Sequence, residues 1–369
     1  MAPPIRVAFI GLSDHSWAAH SHFPALAASP DFEIIGLCNS SCARSQAAID
    51  AFKLPESVKC YASPEEVAND ADVDLVVCST RVDRHLPTIG PSLKAGKNVY
   101  VEWPLGKDSA EARELARLKN EGGVKIDTVG LQARQAPIIK KLKELVDGGR
   151  IGKVLSSTYT AQGSQVGEGV IEGSEYLGFT ESGGNLVTIR FGHQIDYVQQ
   201  VLGYGFSSQH AVLANRRPEV GRRDQSGKLI SEFTKTADDT VYLVGTLKNG
   251  IPLSFSLNGA GKPFKGVPGL EWRIYGEKGE LRVTAASPFL PACDDEMKIE
   301  LYDFAADAVE SVDIPKDEVD ASSFHWATRN VARVYRALAK GEVNCSFEDA
   351  MERQEFLAEL FKENRYFEY

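Results

Sequence analysis

The sequence predicts a two-domain α/β protein. A doubly wound parallel sheet spans residues 1–127, and an α/β domain with a large, mainly antiparallel sheet spans 128–369. Three observations predict this. Up to about residue 125, short apolar runs alternate with helical segments, as when helical crossovers join parallel strands. Beyond that point the strand-like runs lengthen and follow one another at hairpin spacing. A chain of 369 residues also exceeds what one ordinary hydrophobic core organises.

In order, strands are expected over 5–10, 32–37, 73–79, 98–102 and 128–132. Helices are expected over 17–28, 41–52, 86–95, 109–120 and 136–147, the last closed by Gly148-Gly149. The second domain offers strands over 152–161, 209–213, 240–247, 251–257, 270–275, 279–283 and 297–302. Glu277-Lys278-Gly279 marks a tight turn between two of them. Its helices lie over 192–202, 322–339 and 346–363. Residues 162–182, rich in Gly, Ser and Glu, read as a flexible surface loop or a lid.

A net charge of -10 argues against a nucleic-acid backbone or an anionic membrane as partner. No apolar run approaches the ~20 residues of a membrane span. The N-terminus lacks signal-peptide anatomy. Six scattered cysteines read as reduced thiols, which implies a cytoplasmic protein. Cys38 and Cys42 stand four apart, but no second pair completes a zinc set, so no metal is expected.

Gly11-Leu-Ser-Asp-His-Ser16 follows the first strand, where the dinucleotide fingerprint G-x-G-x-x-G stands in a Rossmann domain. Here it reads G-x-S-x-x-S. Gly11 keeps the tight turn. Ser13, His15 and Ser16 offer small or polar groups toward a pyrophosphate, and Trp17 opens the helix. At the end of the second strand an NAD site usually carries Asp or Glu for the ribose 2′-hydroxyl. This chain has Asn39 and Ser40, with Arg44 one turn later. Nothing there repels a 2′-phosphate, so NADP is favoured over NAD. Ser79, Thr80, His85 and Glu102 complete the expected cofactor edge, together with Trp103.

Several ordered segments resemble the glucose–fructose oxidoreductase, inositol dehydrogenase and MocA family: 74–80, His85, 95–105, 144–154, Gly183-Gly184 and 192–196. The resemblance implies that the lysine of a Glu-Lys-Pro motif and an Asp–His pair handle a substrate hydroxyl. Hydride removal from an alcohol carbon requires such a proton acceptor. Here Trp103 stands between Glu102 and Pro104, and alignment on His193 puts Ile189 at the aspartate position. Indole N–H is a donor only, so Trp103 cannot replace the lysine. These losses, with Trp17, Leu131-Gln-Ala-Arg134, Gly261-Lys-Pro263 and Phe191-Gly-His-Gln-Ile-Asp196, resemble the galactose-regulon repressor-like fungal branch of the family.

Two readings follow. In the first, an NAD(P)-dependent oxidoreductase acts on a carbonyl or alcohol of a small polyol, sugar or secondary metabolite. His193 is its acid or base, and Trp103, Gln132 and Arg134 bind substrate. Tyr176 is an alternative proton donor and Lys262 a second cation. In the alternative, the chain is an NAD(P)-binding transcriptional regulator without turnover that meets a regulatory protein partner and enters the nucleus. Both readings imply a homodimer, because the family associates through the open face of its second-domain sheet.

Overall fold

The computed structural model describes residues 3–14, 16–163, 169–290 and 296–364. The chain divides into two compact units, Met1–Gln135 with Asp317–Glu355, and Ala136–Lys316 with Phe356–Tyr369. A single cut at residue 127 therefore does not describe them, because a late segment returns to the first unit. The reason is visible in the core. Val319, Val331, Val334, Tyr335 and Leu338 pack with Val7, Phe9, Leu37, Leu75, Val77 and Tyr100. An apolar face on the helix Trp326–Leu338 is buried against the sheet rather than beside its sequence neighbours.

The first unit contains β1 (Ile5–Ile10), α1 (Trp17–His20), α2 (His22–Ala27), β2 (Phe32–Cys38), α3 (Cys42–Ala51), β3 (Lys59–Cys60) and α4 (Pro64–Asn69). It continues through β4 (Leu75–Cys78), α5 (His85–Lys94), β5 (Asn98–Val101), α6 (Ser109–Gly122) and β6 (Asp127–Val129). The sheet order is β3-β2-β1-β4-β5-β6, and every pairing is parallel. This is the Rossmann order, whose switch point lies between β1 and β4. Strands covered on both faces need continuous apolar runs, and Leu75–Cys78 is buried throughout.

The helix expected over 17–28 is two short helices. Pro24 has no N–H for the His20 carbonyl, which instead accepts from the Thr328 hydroxyl at 2.6 Å. The Ser21 hydroxyl donates to the Trp17 carbonyl at 2.7 Å, a local bond that competes with the helical ladder.

The second unit carries α7 (Pro137–Asp147), β7 (Val154–Gln162), β8 (Gly169–Ile171), α8 (Gly192–Leu202), β9 (Phe206–Ala214), β10 (Glu219–Arg223), β11 (Leu229–Thr234) and β12 (Thr240–Leu247). Then come β13 (Pro252–Asn258), β14 (Leu270–Gly276), β15 (Gly279–Ala285), β16 (Lys298–Asp303) and β17 (Ala308–Val312). Eight strands run β17-β16-β15-β14-β7-β13-β12-β9. All these neighbours are antiparallel except β7 and β13. One face is a core of Tyr159, Leu243, Phe255, Trp272, Ile274 and Leu281. On it the Tyr159 ring stacks on Phe255 at 4.4 Å, Tyr197 of α8 lies 6.2 Å from Trp272, and the Tyr159 and Tyr197 hydroxyls bond each other. Each such ring contributes about 1.5–3 kcal/mol by burial. The opposite face is solvated and carries the exposed Val212, Tyr242 and Val244, with Val212 opposite Tyr242 in register.

The lid or loop expected over 162–182 is not an open excursion in its described part. β8 pairs in parallel with β10, which pairs with β11. Single helical turns at Glu175–Gly178 and Thr180–Ser182 follow. Low apolar content concealed the strand because its partners lie some fifty residues later. Among the described residues, no helix is long and apolar enough to cross a membrane.

Candidate functional site

The nucleotide edge of the first unit is built at the carboxyl ends of β1, β2, β4 and β5. Gly11 has φ +95°, and a Cβ there would stand 2.6 Å from the Ser79 carbonyl. Only glycine lets the β1 turn approach the β4 turn this closely. The fingerprint loop is closed from within. The Ser16 hydroxyl donates to the Ser13 carbonyl at 2.7 Å and accepts from the Ser13 N–H at 3.1 Å. Asn39 ties the end of β2 to that loop, its Nδ2 donating to the Leu12 carbonyl at 2.7 Å. Ser41 caps α3 by accepting from the Arg44 N–H, and both Ser40 and Arg44 remain exposed. The edge thus has the tight turn and backbone approach that a dinucleotide needs, and Asn39 stands at the end of β2 where an NAD site usually carries a carboxylate. His15 lies outside the described residues. Trp17 is 37% exposed, with its ring 5.9 Å from Trp326.

His85 is buried and faces two carbonyls, Leu105 from Nδ1 at 3.1 Å and Thr80 from Nε2 at 3.2 Å. Burial pulls its pKa below the ordinary value, against the raising effect of those carbonyls. It therefore braces the Thr80 turn, as a neutral ring. Glu102, just beyond β5, accepts from or donates to a partner that composition did not single out. His22 Nε2 stands 2.6 Å from Glu102 Oε1, and His22 Nδ1 stands 2.7 Å from the Tyr335 hydroxyl. His22 is fully buried. Its only sequence signal is an ionisable residue set among apolar helix positions. Gly130 leaves room for the carboxylate, since a Cβ there would meet Glu102 Oε2 at 2.9 Å.

Trp103 is 4% exposed, and the Trp103–Pro104 bond is cis. Gln132 is buried, and its Oε1 has no hydrogen-bond partner among the described residues. Arg134 does not stand open to a ligand as expected. Its Nη1 pairs with Asp349 at 2.9 Å, which uses the charge to fasten the returning segment.

In the second unit, Asn185 opens a π-helical turn over Leu186–Phe191 that runs directly into α8. Its Oδ1 accepts from the N–H groups of Val187 and Thr188, and the Thr188 hydroxyl accepts from the Asn185 N–H. His193 is 6% exposed, and its ring meets Phe289 edge-on at 5.6 Å. Arg190, absent from the sequence-based candidates, sits over the same ring at 4.6 Å. Tyr176 is half-buried on its helical turn and Lys262 is exposed. Trp103 lies in the first unit and Ile189 in the second.

Residues 5–129 match the family model for the NAD-binding Rossmann fold of an oxidoreductase family. Residues 137–285 match that for the C-terminal domain of Gal80p. The galactose/lactose metabolism regulatory protein GAL80 of Saccharomyces cerevisiae is 33% identical over 78% of this chain and 68% of its own length. GAL80 of Kluyveromyces lactis is 33% identical over 78% of this chain, and the alignment spans 65% of that protein. The dehydrogenase aclE of Aspergillus oryzae is 29% identical over 90% of this chain and 92% of its own. A crystal structure of a super-repressor mutant of Saccharomyces cerevisiae Gal80p superposes with a TM-score of 0.88 at 26% identity, covering 98% of this chain and 96% of that one.

Fold and nucleotide edge define a two-unit protein of the glucose–fructose oxidoreductase, inositol dehydrogenase and MocA class. Within that family the chain belongs to the GAL80-like branch. The expectation of an enzyme is thereby corrected. The second unit, which would supply the substrate machinery, matches the Gal80p domain across its Ile189–His193 motif, and the relatives sharing it at 33% identity are named regulatory proteins.

Proposed function

We propose that this chain is an NAD(P)-binding regulator of transcription without turnover, acting through a protein partner in the cytoplasm and nucleus. The observation that carries this reading is Trp103, buried where the family's lysine stands, in a chain whose dinucleotide edge is retained. A buried indole fills the position with apolar volume and leaves no proton acceptor there. The cofactor is then a ligand rather than a reagent. NADP is preferred to NAD because Asn39, Ser40 and the exposed Arg44 replace the carboxylate that would repel a 2′-phosphate. Self-association uses the open sheet face around Val212, Tyr242 and Val244, where apolar side chains stand at 56%, 52% and 60% exposure. Such a patch is favourable to bury against a copy.

The test has two arms. Calorimetry should show NADP binding more tightly than NAD, and Arg44→Glu should reverse the preference. Absorbance at 340 nm should stay constant when NADPH or NADP is mixed with carbonyl and polyol panels, while pull-down of a transcription factor should change with NADP. Steady turnover on any panel member refutes the proposal.

A further inference from the structure

We infer that Cys42 and Cys60 form a thiol pair that glutathione disulfide converts into an intramolecular disulfide, and that bound NADP shields the pair. The disulfide does not depend on the regulatory reading, whereas the shielding rests on its placement of NADP.

The pair is built by β2, α3 and β3 within the first unit. Cys60 of β3 lies beside Leu37 of β2 in parallel register. The chain then leaves β2 and enters α3, whose first residue is Cys42. The Cys42 thiol faces the backbone of Cys60, with Sγ 3.9 Å from that carbonyl oxygen. The Cys60 thiol in turn faces Gln46, with Sγ 3.5 Å from Oε1. Residues 42 and 46 are one helical turn apart and share a face of α3, so both sulfurs lie against that face. Rotation of the side chains between staggered wells is the motion that brings sulfur to sulfur.

Access sets the order of steps. Cys42 is exposed and Cys60 half-buried, whereas Cys38, Cys78 and Cys345 are buried. Burial first, and then the neighbouring Cys42, push the Cys60 thiol above its ordinary value, which leaves Cys60 the poorer first nucleophile. Cys42 loses its proton to water, and its sulfur attacks glutathione disulfide, releasing one glutathione and leaving a mixed disulfide. Cys60 then loses its proton to water, and its sulfur attacks the Cys42 sulfur, releasing the second glutathione. Two protein thiols are oxidised to one disulfide, and one glutathione disulfide is reduced to two thiols.

Cys42 also stands between Ser40 and Arg44, both exposed, which are the groups assigned to the 2′-phosphate. A phosphate held there covers the exposed sulfur. NAD lacks that phosphate and leaves the sulfur open.

The full chain is treated with glutathione disulfide, quenched by alkylation and mapped by peptide mass spectrometry. The wild type should yield a peptide linked through Cys42 and Cys60, which dithiothreitol reverses. Cys60→Ser should stop at a glutathione adduct on Cys42, and Cys42→Ser should slow reaction at Cys60 at least ~10-fold. Saturating NADP should slow wild-type linkage at least ~5-fold, and saturating NAD should not. Absence of the linked peptide from the wild type overturns the proposal, as does linkage of Cys42 or Cys60 to a different cysteine in its place. Since these comparisons use the unaltered chain, they hold even if a variant fails to fold. Linkage that NADP does not slow would overturn the shielding and leave the thiol pair standing, and NADP binding by calorimetry separates that outcome from failure of the cofactor reading.

Discussion

His22 Nε2 and Glu102 Oε1 meet at 2.6 Å in the first unit, and the Tyr335 hydroxyl holds the other ring nitrogen at 2.7 Å. Three distant stretches of chain are joined by this line: the opening helices, the end of β5 and the returning helix Trp326–Leu338. It fixes Glu102 at the carboxyl edge of the sheet, one residue before Trp103. Removing the carboxylate leaves a fully buried imidazole nitrogen without its partner, a loss of about 1–3 kcal/mol. Glu102→Ala should lower unfolding stability by that amount in urea titrations, and Glu102→Gln should retain most of it. An unchanged midpoint for Glu102→Ala would show that the pair adds nothing net.

Gly11→Ala should destabilise the first unit and abolish dinucleotide binding. At φ +95° a methyl group is strained, and it would lie 2.6 Å from the Ser79 carbonyl, so the β1 and β4 turns must separate. The expected stability loss is about 1–3 kcal/mol, read by thermal unfolding with and without NADP. Stabilisation of the variant by NADP equal to that of the wild type would contradict this.

Acid should loosen the returning segment internally through Asp317, which pairs with Arg333 of the same segment. The Arg333 guanidinium, 2.8 Å away, holds its carboxyl at about 2, below the ordinary value. A depressed folded-state pKa contributes stability above the unfolded value of ~3.9. That contribution is lost as pH falls from there toward about 2. Asp317→Asn should therefore be less stable at neutral pH and show a shallower decline over that window in unfolding midpoints. Because Asp317 is partly exposed, solvent screens the effect.

Trp103→Lys, alone or with Ile189→Asp, should not create a dehydrogenase. Replacing a 4% exposed indole with an ammonium removes packing and buries a charge, at a cost of about 3 kcal/mol or more. The variants should melt lower and show no reduction of NADP with glucose or myo-inositol at 340 nm. A measurable rate would mean that the rest of the family's machinery persists.

Val244→Glu should keep the chain monomeric. Val244 is 60% exposed on the open face of the sheet, near Tyr242 and Val212. A carboxylate there cannot be desolvated cheaply in a symmetric contact. Sedimentation equilibrium of the wild type and variant checks it, and an unchanged dimer would move the interface elsewhere.

Local chemistry in the sequence determined the parallel sheet, the turn at Gly11, the end of β2 without a carboxylate, and the motif changes at Trp103 and Ile189. Those features depend on residues adjacent in the chain, so periodicity and spacing reveal them. Tertiary structure decided the rest. Pro24 leaves the His20 carbonyl without a helical donor, and Thr328, three hundred residues later, supplies one. β8 exists because β10 pairs with it. His22 becomes a buried partner of Glu102, Arg134 is drawn to Asp349, and Arg190 joins His193 against Phe289. Each of these depends on which distant backbone or charge fills the space, a competition between burial cost and available partners that no local window contains.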